Sequence, residues 1–115
     1  MPAAQTVECI AEIRGSAGYF EAIERVFALG TPTADVLATV LVDMKLDKKI
    51  IDGCVTSERF TKKIQDQMSE GINKFGINGT PGNVLLDTKT GKYEVVSGAL
   101  PEASFQEAIE RLLNT

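Results

Sequence analysis

The sequence predicts an α+β protein that is mainly helical and ends in a β-hairpin and a final helix. Over residues 6–75 apolar residues recur every three or four positions, and after Gly76 they form short runs separated by turn residues. Hydrophobic residues make up 43% and charged residues 24% of the 115 residues, which is typical of a folded chain. We expect a single domain, residues 1–115, with a helical region (6–75) and a C-terminal region (76–115).

The first part of the chain predicts two helices with a glycine-containing break between them. Residues 6–14 have helical spacing, and the segment from Gly15 to Gly18 interrupts it. A wide apolar stripe then runs from Tyr19 to Phe27 and stops at Gly30.

Three further helices are predicted before the change of period. Thr33 is a suitable N-cap for the first of them, and Asp47 opens a short one that ends near Gly53. Either Thr56 or Ser57 caps a long helix in which apolar residues recur every four positions as far as residue 72.

The C-terminal region predicts an antiparallel hairpin followed by a helix. Residues 83–87 and 92–96 are short apolar runs, and the residues between them, from Asp87 to Gly91, are typical of a turn. Pro101 opens the last helix. A two-stranded hairpin is marginal alone in water, so we expect it to pack against helices, further strands or a second chain.

Composition excludes several classes of function. The net charge is -4, and no basic residues cluster away from acids, so nucleic acid is not an expected partner. The sequence has no histidine, the usual general base and the commonest nitrogen ligand of zinc. No metal site or cofactor is predicted. No apolar run approaches the length that spans a bilayer, so no membrane partner is expected.

The two cysteines, Cys9 and Cys54, are too far apart in sequence to form a Cys-x-x-Cys pair. Each has apolar neighbours, which favours small buried core residues. A structural disulfide and a reactive thiol are the alternatives.

The most specific motif is the run FGINGTPGNVLLD at residues 75–87, with GALP following at residues 98–101. In these motifs the chain resembles the DsbA family of thioredoxin-fold proteins, in which a long helix ends in a Gly-Thr-Pro type loop before a hairpin and a final helix. The resemblance extends over about residues 6–113.

The resemblance implies a cis bond before Pro81 and a loop that pairs with an extended peptide. Gly79, Thr80 and Pro81 are then the substrate-binding residues. Glycines on either side of Thr80-Pro81 favour a tight turn, although a trans proline opening an edge strand is the alternative. The family's N-terminal strand, Cys-x-x-Cys helix and second strand have no counterpart in this sequence. We therefore expect a truncated, partial thioredoxin-like fold that has no redox activity of its own and no catalytic residue.

Two other functions compete with this interpretation. An unpaired hairpin edge recruits another strand, which predicts a self-associating assembly module, for example a homodimer. A single-cysteine thiol enzyme is the third hypothesis, and the absence of histidine disfavours it. The family is usually extracytoplasmic, but the sequence contains no signal peptide, so the compartment stays open.

Overall fold

The computed structural model describes residues 2–114. It confirms an α+β chain that is mainly helical, with one antiparallel hairpin near its C-terminal end. Contacts divide the chain into two compact units, one up to Gln65 and one from Asp66 onward, so the division falls within the fourth helix. In chain order the elements are α1 Pro2–Leu29, α2 Ala34–Asp43, α3 Lys48–Thr56, α4 Thr61–Phe75, β1 Gly82–Leu86, β2 Tyr93–Ser97 and α5 Glu102–Leu113.

Helix α1 contains the predicted break, but the break is confined to Gly15 and does not extend to Gly18. Gly15 departs from helical geometry with φ 69° and ψ -164°, and the segments on either side are helical. A positive φ of this size is accessible to glycine at little cost, which is why the chain bends here. Gly18, the other glycine of the predicted break, is buried within the helix.

The predicted starts of α2 and α3 are confirmed by their caps. The hydroxyl oxygen of Thr33 accepts a hydrogen bond from the Val36 amide at 3.2 Å, and the Asp47 carboxylate accepts one from the Lys49 amide at 2.9 Å. Each side chain satisfies an amide that the first helical turn leaves without a partner.

The predicted start of α4 at Thr56 or Ser57 is wrong. Thr56 is the last residue of α3 and Ser57 is its C-cap, so α3 extends past Gly53. The Ser57 hydroxyl donates to the carbonyl of Cys54 at 2.6 Å, and Glu58 adopts a positive φ of 55°. This turn separates the two helices because a residue with that φ cannot continue an α-helix.

The first unit has a continuous apolar core that joins α1, α2 and α3. Ile10, Val40 and Ile51 are each at most 1% exposed, and they come from the three different helices. The buried residues of α2 follow the predicted helical stripe, but the predicted stripe in the second half of α1 is only partly buried, because Phe20 is 66% and Phe27 is 77% exposed. The members of the core are Val7, Cys9, Ile10, Ala22, Val26, Val40, Leu41, Met44, Ile51 and Cys54.

Polar contacts join the start of α4 to α1 in the first unit. The carboxylate of Glu8, whose side chain is only 10% exposed, pairs with Lys63 at 2.9 Å. The amide of Gln5 donates to the Thr61 hydroxyl at 3.0 Å. A carboxylate buried to this extent needs a partner, and Lys63 supplies it.

The second unit is built on the hairpin and α5. Strands β1 and β2 pair antiparallel, with Val84 opposite Val95 and Leu86 opposite Tyr93. Helix α5 packs on the hairpin, where Val96 is 6% exposed and Ala108 is fully buried. Within residues 2–114 no helix has the length and apolar character needed to cross a membrane.

Candidate functional site

The predicted peptide-binding residues form the loop between α4 and β1. Gly79, Thr80 and Pro81 are all exposed, and Pro81 directly precedes the first residue of β1. The bond between Thr80 and Pro81 is cis, as predicted. The carbonyl of Pro81 accepts a hydrogen bond from the amide of Gly98 at 2.9 Å, so the loop joins the hairpin where β1 begins.

The hydrogen bonds at the two ends of the hairpin fix which backbone groups of β1 face outward. At one end Gly98 donates to Pro81, and at the other the Asp87 amide donates to the Lys92 carbonyl at 2.9 Å. In an antiparallel pair the residues alternate between those bonded to the neighbouring strand and those facing away. The amides and carbonyls of Gly82, Val84 and Leu86 therefore face away from β2.

No third strand pairs with β1 in the part of the chain that the structure describes. The side chains of Val84 and Leu86 are 37% and 59% exposed. The edge thus combines free backbone donors and acceptors with accessible apolar side chains. This is the chemistry that an added extended strand requires.

On the side of the sheet that carries Val84 and Leu86, the loop before β1 covers the position of Gly82. A β-carbon on Gly82 would lie 2.5 Å from Cγ2 of Ile77, so a larger residue there would require the Ile77 side chain to move. The Tyr93 ring, on the same side, meets the Phe75 ring edge to face with centroids 5.2 Å apart. At the Gly82 end, β1 therefore presents the apolar side chain of Ile77 in place of a side chain of its own.

The opposite side of the sheet has an apolar groove where β1 meets α5. The groove has a volume of about 260 Å³, and five of its six lining residues are leucine or isoleucine. It lies beside the last residues of β1, so it is available to a side chain of an added strand. Its lining residues are Leu85, Leu86, Asp87, Ile109, Leu112 and Leu113.

Two carboxylates near the turn end of the hairpin, those of Asp87 and Glu94, have charged or backbone partners. The carboxylate of Asp87 accepts hydrogen bonds from the amides of Lys89 and Thr90, at 2.9 and 3.4 Å. The Lys89 amide is the main cause that lowers the pKa of Asp87, and the positive charge of Lys92 acts in the same direction. Glu94 forms an ion pair with Arg111 and thereby raises the pKa of that guanidinium.

The cysteines are buried as predicted, but they are not free thiols. Cys9 and Cys54 form a disulfide that joins α1 to α3. The sequence favours two unbonded core residues, with a structural disulfide as an alternative. Only the fold brings together two residues 45 positions apart, so spacing alone could not select this pairing. In the structure both cysteines are in this bond, so neither is a free thiol.

The charged group in contact with the disulfide is a carboxylate, not a cation that would lower the pKa of a cysteine thiol. An oxygen of Glu12 lies 3.5 Å from the sulfur of Cys54, and the other oxygen of this carboxylate accepts a hydrogen bond from Arg59 at 2.6 Å. A disulfide sulfur has no proton to donate, so the contact with Cys54 is a van der Waals contact. Among residues 2–114 no group of three or more acidic or cysteine side chains is placed to hold a metal ion.

Sequence reasoning identified the loop and expected an unpaired hairpin edge, but it did not show which strand carries that edge, and it missed the groove. Burial alternates along Gly82–Leu86, but the sequence GNVLL does not alternate between polar and apolar residues, so it does not indicate which face of the strand is accessible. The participation of Ile109 and Leu113 in the groove has no sequence signal either, because their position beside β1 depends on how α5 packs.

Comparisons with known proteins identify no relative of this chain. No family model, no curated protein and no solved structure matches it.

Proposed function

We propose that this chain is a DsbA-like thioredoxin-fold protein that binds extended peptides and has no thiol-disulfide exchange of its own. The observation that supports peptide binding is the open edge of β1, where the backbone groups of Gly82, Val84 and Leu86 face outward. An extended polypeptide satisfies such groups by adding a strand to the sheet.

The loop and the groove give the proposed site its two ends. Gly79, Thr80 and Pro81 lead directly into the open edge, and the family resemblance assigns peptide contact to this loop. At the other end of β1, the apolar groove beside Leu85 offers a place for a side chain of the bound peptide. Main-chain hydrogen bonds would provide affinity, and the groove would favour an apolar residue.

The lack of redox activity is proposed from the chemistry of the sulfurs. Thiol-disulfide exchange begins with a thiolate that attacks an accessible disulfide. The 115 residues contain two cysteines, and both are buried in a single bond, Cys9 at 1% and Cys54 at 7% exposed. We expect no turnover in an insulin-reduction assay.

Two matched proline substitutions test the peptide site. Val84→Pro removes an amide from the open edge of β1, while Val95→Pro removes one from the opposite edge of the hairpin. Val84 and Val95 lie opposite each other as a non-hydrogen-bonded pair, so their amides face away from the partner strand. Neither substitution therefore removes a hydrogen bond between β1 and β2. One backbone hydrogen bond contributes roughly 0.5–1.5 kcal/mol, so Val84→Pro should weaken peptide binding between about twofold and tenfold.

Binding is measured by fluorescence anisotropy with a labelled, extended apolar peptide, and circular dichroism checks that both variants fold. Val95→Pro should bind as the wild type does. Equal loss in the two variants, or no binding by the wild-type protein, would contradict the proposal.

A further inference from the structure

The edge of β1 lacks the features with which proteins usually prevent strands from pairing. Its five residues, Gly82–Leu86, include no charged residue and no proline, and the register with β2 is continuous, without a bulge. Charges, prolines and bulges are the common protections of an exposed edge. The flanking Pro81 and Asp87 lie just outside the strand.

The outward-facing groups of this edge are symmetric about Val84. If a second β1 lies antiparallel and is centred on Val84, then Val84 meets its own counterpart and Gly82 meets Leu86 in both directions. Each of these three pairs exchanges two hydrogen bonds, so the join would contain about six. The same register places Asp87 opposite Pro81, so the two Asp87 carboxylates do not face each other.

The side chains also fit this register. Gly82 has no side chain, and Ile77 packs over it. Leu86, at 59% exposure, would therefore meet Gly82 and the covering Ile77 of the second copy. At both ends of the join the Leu86 side chain would thus face the apolar side chain of Ile77, with the two Val84 side chains between them.

We infer that the strand accepted at this edge is β1 of a second copy of the chain, paired antiparallel about a twofold axis at Val84. The inference rests on the proposed function, because it names the polypeptide that the open edge binds. A closed twofold pair occupies both open β1 edges and leaves neither free for further growth.

The area available indicates a reversible dimer. Burying an aliphatic side chain removes on the order of 100 Å² from water, so the exposed parts of Val84 and Leu86 supply on the order of 100 Å² in each copy. A stable interface of standard size buries about 800 Å² per partner. We therefore expect dissociation in the micromolar range or weaker, detectable by sedimentation at high protein concentration.

Opposite charges placed on the twofold axis test the register. In Val84→Lys or Val84→Glu, two like charges would face each other, and each variant should dimerise at least about fivefold more weakly than the wild type. An equimolar mixture of the two variants should form a heterodimer, because the introduced lysine and the introduced glutamate then face each other as an ion pair. Phe27→Lys, which changes a side chain that is 77% exposed on α1, is the matched control and should dimerise as the wild type does.

Sedimentation equilibrium and peptide anisotropy together separate the possible outcomes. Loss of dimer in both single variants with recovery in the mixture supports the inference. A wild-type protein that stays monomeric at millimolar concentration but binds the peptide overturns the inference and leaves the proposed function standing. A monomer that binds no peptide overturns both, and a dimer unaffected by either Val84 variant overturns the β1 register.

Discussion

At the scale of single residues, Asp87 shows how a turn residue is stabilised by its own backbone. Its carboxylate accepts from two amides within the turn, Lys89 and Thr90, and its pKa is lowered chiefly by the first of these hydrogen bonds. The side chain thus ties the end of β1 to the turn that leads into β2.

The lowered pKa of Asp87 predicts a pH dependence of stability. Because the folded state holds the carboxylate ionised to lower pH than the unfolded state does, its contribution is present above the ordinary value of 3.8 and is lost as the pH falls through the folded pKa. Asp87→Asn keeps the acceptor oxygen but removes the charge, so it should be less stable than the wild type at neutral pH.

Thermal unfolding of both proteins between neutral pH and about pH 2 checks this expectation. The difference between them should shrink as the wild-type carboxylate becomes protonated. A difference that stays constant over the whole range would show that the charge of Asp87 has no role in the turn.

At the scale of elements, the helix starts depend on single side chains. Thr33 caps α2 through one hydrogen bond to the Val36 amide. Thr33→Ala should lower the free energy of unfolding by about 1 kcal/mol, since an alanine leaves that amide without its partner.

Thr39→Ala is the matched control in the same helix. The Thr39 hydroxyl donates to the Asp35 carbonyl within α2, an arrangement that does not favour a helix, and alanine has the higher helix propensity. Chemical denaturation should show little change, or a slight gain, for this control. Equal losses in the two variants would contradict a specific capping role for Thr33.

At the scale of the whole molecule, the disulfide is the covalent constraint on the first unit. It closes a loop of 45 residues and joins α1 to α3 inside the core. The chain-entropy account gives a stabilisation of about 4 kcal/mol for a loop of this length, and contributions of disulfides are typically roughly 2–4 kcal/mol. Disulfides persist in oxidising compartments, so we expect the bond to form outside the cytoplasm.

Replacing both cysteines by serine tests the contribution of the bond. The double variant should unfold at a denaturant concentration lower by the equivalent of roughly 2–4 kcal/mol, because its unfolded chain is no longer constrained. Adding a dithiol reductant to the wild type should reproduce most of this loss. A double variant as stable as the wild type would show that the bond contributes nothing to folding.

Several features of the fold could be predicted because they depend on neighbouring residues. The break at Gly15, the caps at Thr33 and Asp47, and the turn of the antiparallel hairpin all follow from local backbone chemistry. The start of α4 could not be predicted in this way. Serine is common at helix N-caps, yet Ser57 is the C-cap of α3. Helix α3 continues past Cys54, which is bonded to Cys9 of α1 in the core.

The sequence by itself determined the class of fold, the order of the elements and the position of the loop at Gly79, Thr80 and Pro81, because periodicity and turn chemistry act over a few residues. Only the tertiary structure decided the pairing of Cys9 with Cys54, since spatial contact between distant residues is a property of packing. It also decided the groove between β1 and α5. Which residues line that groove depends on where the helix lies on the sheet, and no local pattern encodes that.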